Sequence, residues 1–466
     1  MATGSTVERG HSGRVLFLAI VAAIGGFLFG FDTAVINGAV DAIEQTFGTS
    51  SFVTGFVVAV ALLGSAVGAW FAGAVADRYG RIRVMLLSAL LFAISAIGSG
   101  LAFSPWDLAI WRFIGGVAIG AASVIAPAYI AEVAPAAMRG RLGSLQQLAI
   151  VFGIFAALLS DTLLARIAGG ANEDLFLGLQ AWRWMFMAAV VPAVVYGVLA
   201  ARIPESPRYL IRRGRDDDAR VVLRQILPAD EVDPKLREIH GTINVEERSS
   251  YSDLKGPRFG LLPIVWVGIL LSIFQQFVGI NVIFYYSTTL WQSVGFQEND
   301  AFIISTITSV VNIATTFIAI AMIDRVGRKP LLLIGSAGMM VTMATMAIVF
   351  FTAPDVNNEP NLTGASGPIA LIAANLYVVF FGMSWGPVVW VLLGEMFNNR
   401  IRALALSVGA AAQWIANFTI TLTFPPLSAA SVALPYLLYA IFAFMSFVFV
   451  SRAIQETKGR ELEDMQ

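Results

Sequence analysis

The chain contains no cysteine, which excludes disulfides, thiol catalysis and thiolate metal sites. Histidine is almost as scarce. His11 and His240 are the only two, both in polar stretches, which argues against an imidazole metal centre or a histidine-based hydrolase. Charge is thin as well: 13% of the 466 residues are charged, about half the ~25% of an ordinary soluble domain. A net charge of −1 leaves no electrostatic footprint for nucleic acid. With no buried nucleophile–base pair and no ligand cluster in view, neither an enzyme, a cofactor nor a metal is expected.

What is present is apolar. Hydrophobic residues make up 57% of the chain and glycine contributes 42 positions. Membrane helices carry more glycine than soluble ones and use it for close packing. The first fourteen residues are polar. The apolar run after them is too long for a cleaved leader and lacks a small-residue cleavage site, so it reads as a first span. A helix of about twenty apolar residues crosses the roughly 30 Å hydrocarbon layer. Candidate spans fall near 15–40, 53–76, 82–103, 107–131, 141–165 and 182–203, then 260–292, 300–323, 329–353, 366–396, 401–424 and 432–453.

These spans predict an all-α integral membrane protein. Its parts are a cytoplasmic N-terminus (1–14), a six-helix bundle (15–203), cytoplasmic linker helices (204–259), a second six-helix bundle (260–453) and a cytoplasmic tail (454–466). Of the 30 basic residues, only Arg112 falls more than two residues inside a span, and only Arg166 and Arg183 fall opposite the N-terminus. That bias places both termini in the cytoplasm and the protein in the cell membrane.

The two halves carry the same punctuation. Asp77-Arg78-Tyr79-Gly80-Arg81 follows the second span and Asp324-Arg325-Val326-Gly327-Arg328 the eighth. Glu132 precedes Arg139 by seven residues after the fourth span, as Glu395 precedes Arg402 after the tenth. Pro204-Glu205-Ser206-Pro207-Arg208 closes the sixth span and Gln455-Glu456-Thr457-Lys458-Gly459-Arg460 the twelfth. Parallel halves of this kind mark an alternating-access carrier with a mid-membrane site. Salt bridges among these charges would hold an inner gate shut. Positive-inside anchoring alone would explain the basic members but not Asp77, Glu132, Asp324 or Glu395, because acids contribute little to topology.

Charges inside a span cost several kcal/mol and need a reason. Asp32 lies about seventeen residues, ~26 Å, into the first span. Arg112 begins the fourth from the opposite side, so the two can pair in the outer half and offset each other's desolvation. Burial favours the proton on Asp32 and a nearby guanidinium favours the charge. Motion of Arg112 could therefore load and release a proton; the alternative is a static ion pair.

Buried amides, which both donate and accept, beside aromatic faces suit a ligand with hydroxyls around an apolar ring. The seventh span contains Gln275-Gln276-Phe277-Val278-Gly279-Ile280-Asn281-Val282-Ile283-Phe284-Tyr285. On a regular helix Asn281 and Tyr285 share a face and Gln276 points about 140° away. All three can line one cavity only if the helix breaks, and Gly279 allows that. The tenth span has the same character in Gly386-Pro387-Val388-Val389-Trp390, where Pro387 removes a donor. Gln413, Trp414 and Asn417 in the eleventh span, Gln147 in the fifth and Asn312 in the eighth add amides and a ring. Each amide alone could be an interhelical bond. Trp106, Trp182 and Trp184 are assigned to the interfacial belt.

These stretches, with Gly25-Gly26-Phe27-Leu28-Phe29-Gly30-Phe31-Asp32, resemble the sugar porter family of the major facilitator superfamily across nearly the whole chain. The resemblance is nearest to bacterial proton–sugar symporters. It implies sugar contacts at Phe29, Gln147, Gln275, Gln276, Asn281, Tyr285, Asn312, Gly386, Trp390, Gln413 and Trp414. It also implies that Asp32, paired with Arg112, couples the proton, since the facilitators typically carry Asn there. Ile154 and Phe284 match glucose-type members, where the xylose type has Gln and Leu. Phe31, Ile82 and Gln455 depart from the usual Tyr, basic residue and Pro. The reading is a proton-coupled hexose symporter acting as a monomer. An uncoupled facilitator is the alternative, and a non-transporting sensor is more remote because little chain follows Arg452.

Overall fold

The computed structural model describes residues 2–135, 139–246, 251–257, 259–356, 359–360, 362, 364–397 and 401–457. Its helices include 12 that are long and apolar enough to cross a membrane, from Ser12–Gly38 to Ala433–Ala453. Helix is what the composition demands, because a backbone in hydrocarbon must satisfy its polar groups within its own segment. Between the sixth and seventh spans run short helices at Pro207–Arg212, Asp216–Ile226 and Val232–Glu246. The Asp216–Ile226 helix turns Ala219, Val222, Leu223 and Ile226 inward and leaves its acidic first turn outside. With an even number of spans, both termini lie at one end of the bundle, here the terminal end; the other is the far end.

Close backbone packing holds the helices. Gly64 and Gly68 of the second span face Phe113 and Val117, and Gly116 and Gly120 of the fourth face Ala61 and Ser65. A Cβ at any of the four would lie 2.0–2.2 Å from a backbone oxygen. This is the small-residue contact expected where lipid supplies no hydrophobic drive between helices.

The halves repeat one charge cluster at the terminal end. Arg81 donates from Nε and Nη2 to Glu132 at 3.0 and 2.9 Å, and Arg328 does the same to Glu395 at 3.0 and 2.8 Å. The Glu205 carboxylate accepts the N–H groups of Arg81 and Ile82, and Glu456 accepts those of Arg328 and Lys329. Glu205 thus caps the start of the third span, Arg81–Gly100, and Glu456 that of the ninth, Arg328–Phe351, where backbone donors have no helical partner. Ile82 supplies its amide as well as a basic residue would. Asp77 also pairs with Arg81 and Arg212, at 3.0 and 2.7 Å. Arg78 is exposed beside Tyr79, and Arg325 is exposed too. The side chains of Arg139, Asp324 and Arg402 lie outside the described residues. Asp77–Arg212 ties the first half to the linker, and the other bridges described here fall within one half, so they lock helix ends inside each bundle.

Between the halves, hydrogen bonds join the far ends. Thr288 N–H donates to Asn37 Oδ1 at 2.9 Å, Gln292 Nε2 to Asp41 at 2.9 Å, and the Thr162 and Thr306 hydroxyls lie 2.9 Å apart. The first span ends there in a 3-10 turn, Ile36–Gly38, before a short helix at Val40–Phe47.

Candidate functional site

Two helix breaks shape the middle of the second half. The seventh span runs as Pro263–Phe277 and Ile280–Tyr285, with Gly279 between at φ +92°. Only glycine takes that conformation cheaply, and a Cβ there would also meet the Tyr439 ring at 2.5 Å. Tyr377 donates to the freed Val278 carbonyl at 2.7 Å. The break brings Asn281 Nδ2 onto Gln276 Oε1, which a straight helix would hold on different faces.

In the tenth span the break falls at Met383 and Ser384, before Pro387. Pro387 is the third residue of the new helix, Trp385–Glu395. First-turn amides have no helical acceptor, so its missing donor costs nothing there. Gln275 Nε2 spans the two breaks, donating to the carbonyls of Trp385 at 2.9 Å and Gly386 at 3.2 Å. Gln276 Nε2 donates in turn to Gln275 Oε1 at 3.4 Å.

The other predicted residues lie on several helices of both halves. Phe29 and Trp414 meet edge-on with ring centroids 5.5 Å apart, linking the halves. Tyr285 is buried beside Asn417, and Phe284 is buried next to it. Gln413 Oε1 is buried without a hydrogen-bond partner among the described residues. Ile154 packs against Gly30. Gln147 is half-buried on the fifth span, and Asn312 is buried on the eighth beside Gly382. Trp390 is 43% exposed, and no hydrogen bond or ring contact among the described residues joins it to the row.

Asp32 and Arg112 do pair. Arg112 Nη1 lies 3.0 Å from Asp32 Oδ1 and 3.4 Å from its backbone oxygen, with side chains 3% and 9% exposed. Among the described residues, Asp32 Oδ2 and Arg112 Nε have no hydrogen-bond partner. A small cavity beside the pair is lined by Asp32, Thr33, Ser65, Arg112 and Tyr285. The carboxylate therefore shares a space with a residue of the broken helix.

Sequence reasoning misplaced one residue and passed over others. Trp182 is no interfacial anchor: it is fully buried between Phe47 and Phe186 and donates to Gln180 at 2.8 Å. Trp106, 59% exposed, has the exposure such a belt requires. Gln146, next to Gln147, has a buried carbonyl oxygen without a partner among the described residues. Asp161 is 0% exposed in the fifth span. The test that singled out Asp32, an acid within an apolar run, also selects Asp161, but the position is close to the end expected for that span.

Asp41 lies beyond the first span, at the far-end contact. Burial pushes its carboxyl up to about 6; the nearby Thr289 hydroxyl lowers it, and the Glu44 and Glu298 charges raise it. When the far ends part, water returns the group to its ordinary value of ~4. The closed end is therefore favoured in acid, fully below ~4, and loses that advantage as pH rises through about 6. Because the chain has no cysteine, a Thr288→Cys probe should label faster, relative to a free thiol at the same pH, as pH climbs through this window. Asp41→Asn should flatten that rise, and an unchanged profile in Asp41→Asn would count against the linkage.

The chain matches the family model described as "Sugar (and other) transporter" over residues 18–466. It is 57% identical over 453 residues to a glucose transport protein of Synechocystis sp., covering 97% of each chain. It is 35% identical to the D-xylose–proton symporter of Escherichia coli, covering 98% of this chain and 96% of that one. The inward open structure of the E. coli xylose transporter superposes with a TM-score of 0.81 at 34% identity, over 97% of this chain and 99% of that one.

Proposed function

This chain belongs to the sugar (and other) transporter family, and we propose that it imports a hexose, glucose in the first place, together with a proton. Both termini then lie in the cytoplasm and the far end faces outside. The 57% identity to a glucose transport protein supports the sugar, as do Ile154 and Phe284. The observation that carries the coupling is the buried Asp32–Arg112 pair opening onto the cavity it shares with Tyr285.

The cycle follows from that geometry. A proton on Asp32 removes the charge that holds Arg112, and the guanidinium is then free to seek other acceptors. Tyr285 and the Asn281–Gln276 pair belong to the same broken segment, so sugar bound there and the proton on Asp32 act on one moving element. The hexose hydroxyls would meet Gln276, Asn281 and Gln413 amides, with Phe29 and Trp414 against the apolar ring face. With the outer ends joined through Asn37, Thr162, Thr288 and Thr306, the outer route to the site is closed.

Labelled glucose uptake into liposomes, with acid outside, tests this reading. Accumulation above the external concentration, abolished by a protonophore, is the expected result. Uptake that stops at equal concentrations would instead make the chain a facilitator and the ion pair a structural one.

A further inference from the structure

We propose that Asp161 is a second proton-binding site, occupied while the outer end is closed and emptied into external water when it opens. Asp161 is 0% exposed, and no side chain among the described residues donates a hydrogen bond to either carboxyl oxygen; the Gly38 amide is the donor beside it. An ionised carboxylate left so would cost several kcal/mol, so this setting suits the neutral acid.

The charged groups on the packed elements leave it alone. On the first and fourth spans Asp32 and Arg112 hold each other. On the sixth, Arg183 donates to the carbonyls of Gly100 and Ala102 and stacks on Trp182. Arg166, later on the same helix, is exposed, as is Asp174 in the following strand. On the eighth span Glu298 accepts the Ala171 amide.

The position ties that proton to the closure. Asp161 packs against the 3-10 turn at Gly38, where an added Cβ would meet its Cβ and Oδ2 and the Met185 sulfur, each at 2.9 Å. The residue before Gly38 is Asn37, which accepts Thr288 N–H from the other half. The residue after Asp161 is Thr162, which meets Thr306 of the other half. Asp161 is thus flanked by two of the contacts that must part when the outer end opens. Parting them admits water, the O–H bond breaks, water takes the proton, and the carboxylate becomes hydrated. Its link to the transport cycle rests on the proposed symport; the presence of the proton does not.

Infrared spectroscopy of the purified protein reads the proton directly. In an Asp32→Asn background, above the pH at which Asp41 ionises, a carboxylic-acid carbonyl band should persist and vanish on adding Asp161→Asn. A band unchanged by Asp161→Asn overturns the proposal. Should the double variant not fold, the Asp32→Asn protein alone decides, because absence of any such band also overturns it. As a second readout, an impermeant maleimide should label the Thr288→Cys protein, relative to a free thiol at the same pH, severalfold faster in alkali than at neutral pH. Adding Asp161→Asn should abolish that rise; if the rise remains, Asp161 does not govern closure. None of these readouts requires sugar transport, so failure of symport would leave them interpretable.

Discussion

Asp32→Asn is expected to abolish uphill sugar accumulation while leaving sugar exchange across the membrane. Asparagine keeps the size and a hydrogen-bonding oxygen for Arg112 but cannot carry the proton. A gradient of one pH unit stores about 1.4 kcal/mol, enough for roughly tenfold accumulation by a tightly coupled carrier. In the variant that ratio should fall to unity and become insensitive to a protonophore. Sugar counterflow should persist within a few-fold, because the amides of the seventh span are untouched. The substitution also leaves Arg112, 3% exposed, without its counter-charge, so thermal stability should drop. Measuring the melt beside counterflow separates a damaged fold from a lost proton. Accumulation that survived in the variant would remove Asp32 from the coupling and move attention to Asp161.

Much of this architecture was legible because it follows from single residues with few options. Gly279 stood among amides that cannot share a face on a straight helix, and the chain does turn there. Glu205 and Glu456 sit at matching places in the repeat, and each caps two amides of its own half. The tenth span was harder to read. Proline marks a lost donor, yet here it lies inside the first turn, and the break is set three residues earlier by Ser384 at φ −136°, ψ −88°. Trp182 shows a similar limit. Its composition suits a lipid interface, but Phe47, Phe186 and Gln180 enclose it, and those partners come from distant sequence. The pairing within the charge clusters was equally invisible. Spacing shows that Arg81 and Glu132 share an end of the bundle, not that their bridge stays within one half.

The amide row makes a second strong prediction, because its members are engaged differently. Gln275 is committed to structure: its Nε2 holds the Trp385 and Gly386 carbonyls across two breaks. Gln276 and Asn281 chiefly hold each other, and a hexose hydroxyl can both accept from and donate to such a pair. Gln276→Ala should therefore weaken glucose binding by about 10–100-fold, the effect of leaving one or two polar partners unmet at ~1–3 kcal/mol, with little change in melting temperature. Gln275→Ala should show the opposite balance, lowering the melting temperature most, because the tenth-span carbonyls then lose their donor in a buried site. Calorimetric titration with glucose beside a thermal melt reads both quantities on the same preparation. If Gln276→Ala bound glucose like the parent, the sugar would not lie along this row, and the unpartnered Gln413 and Gln146 oxygens of the other helices would be the next place to look.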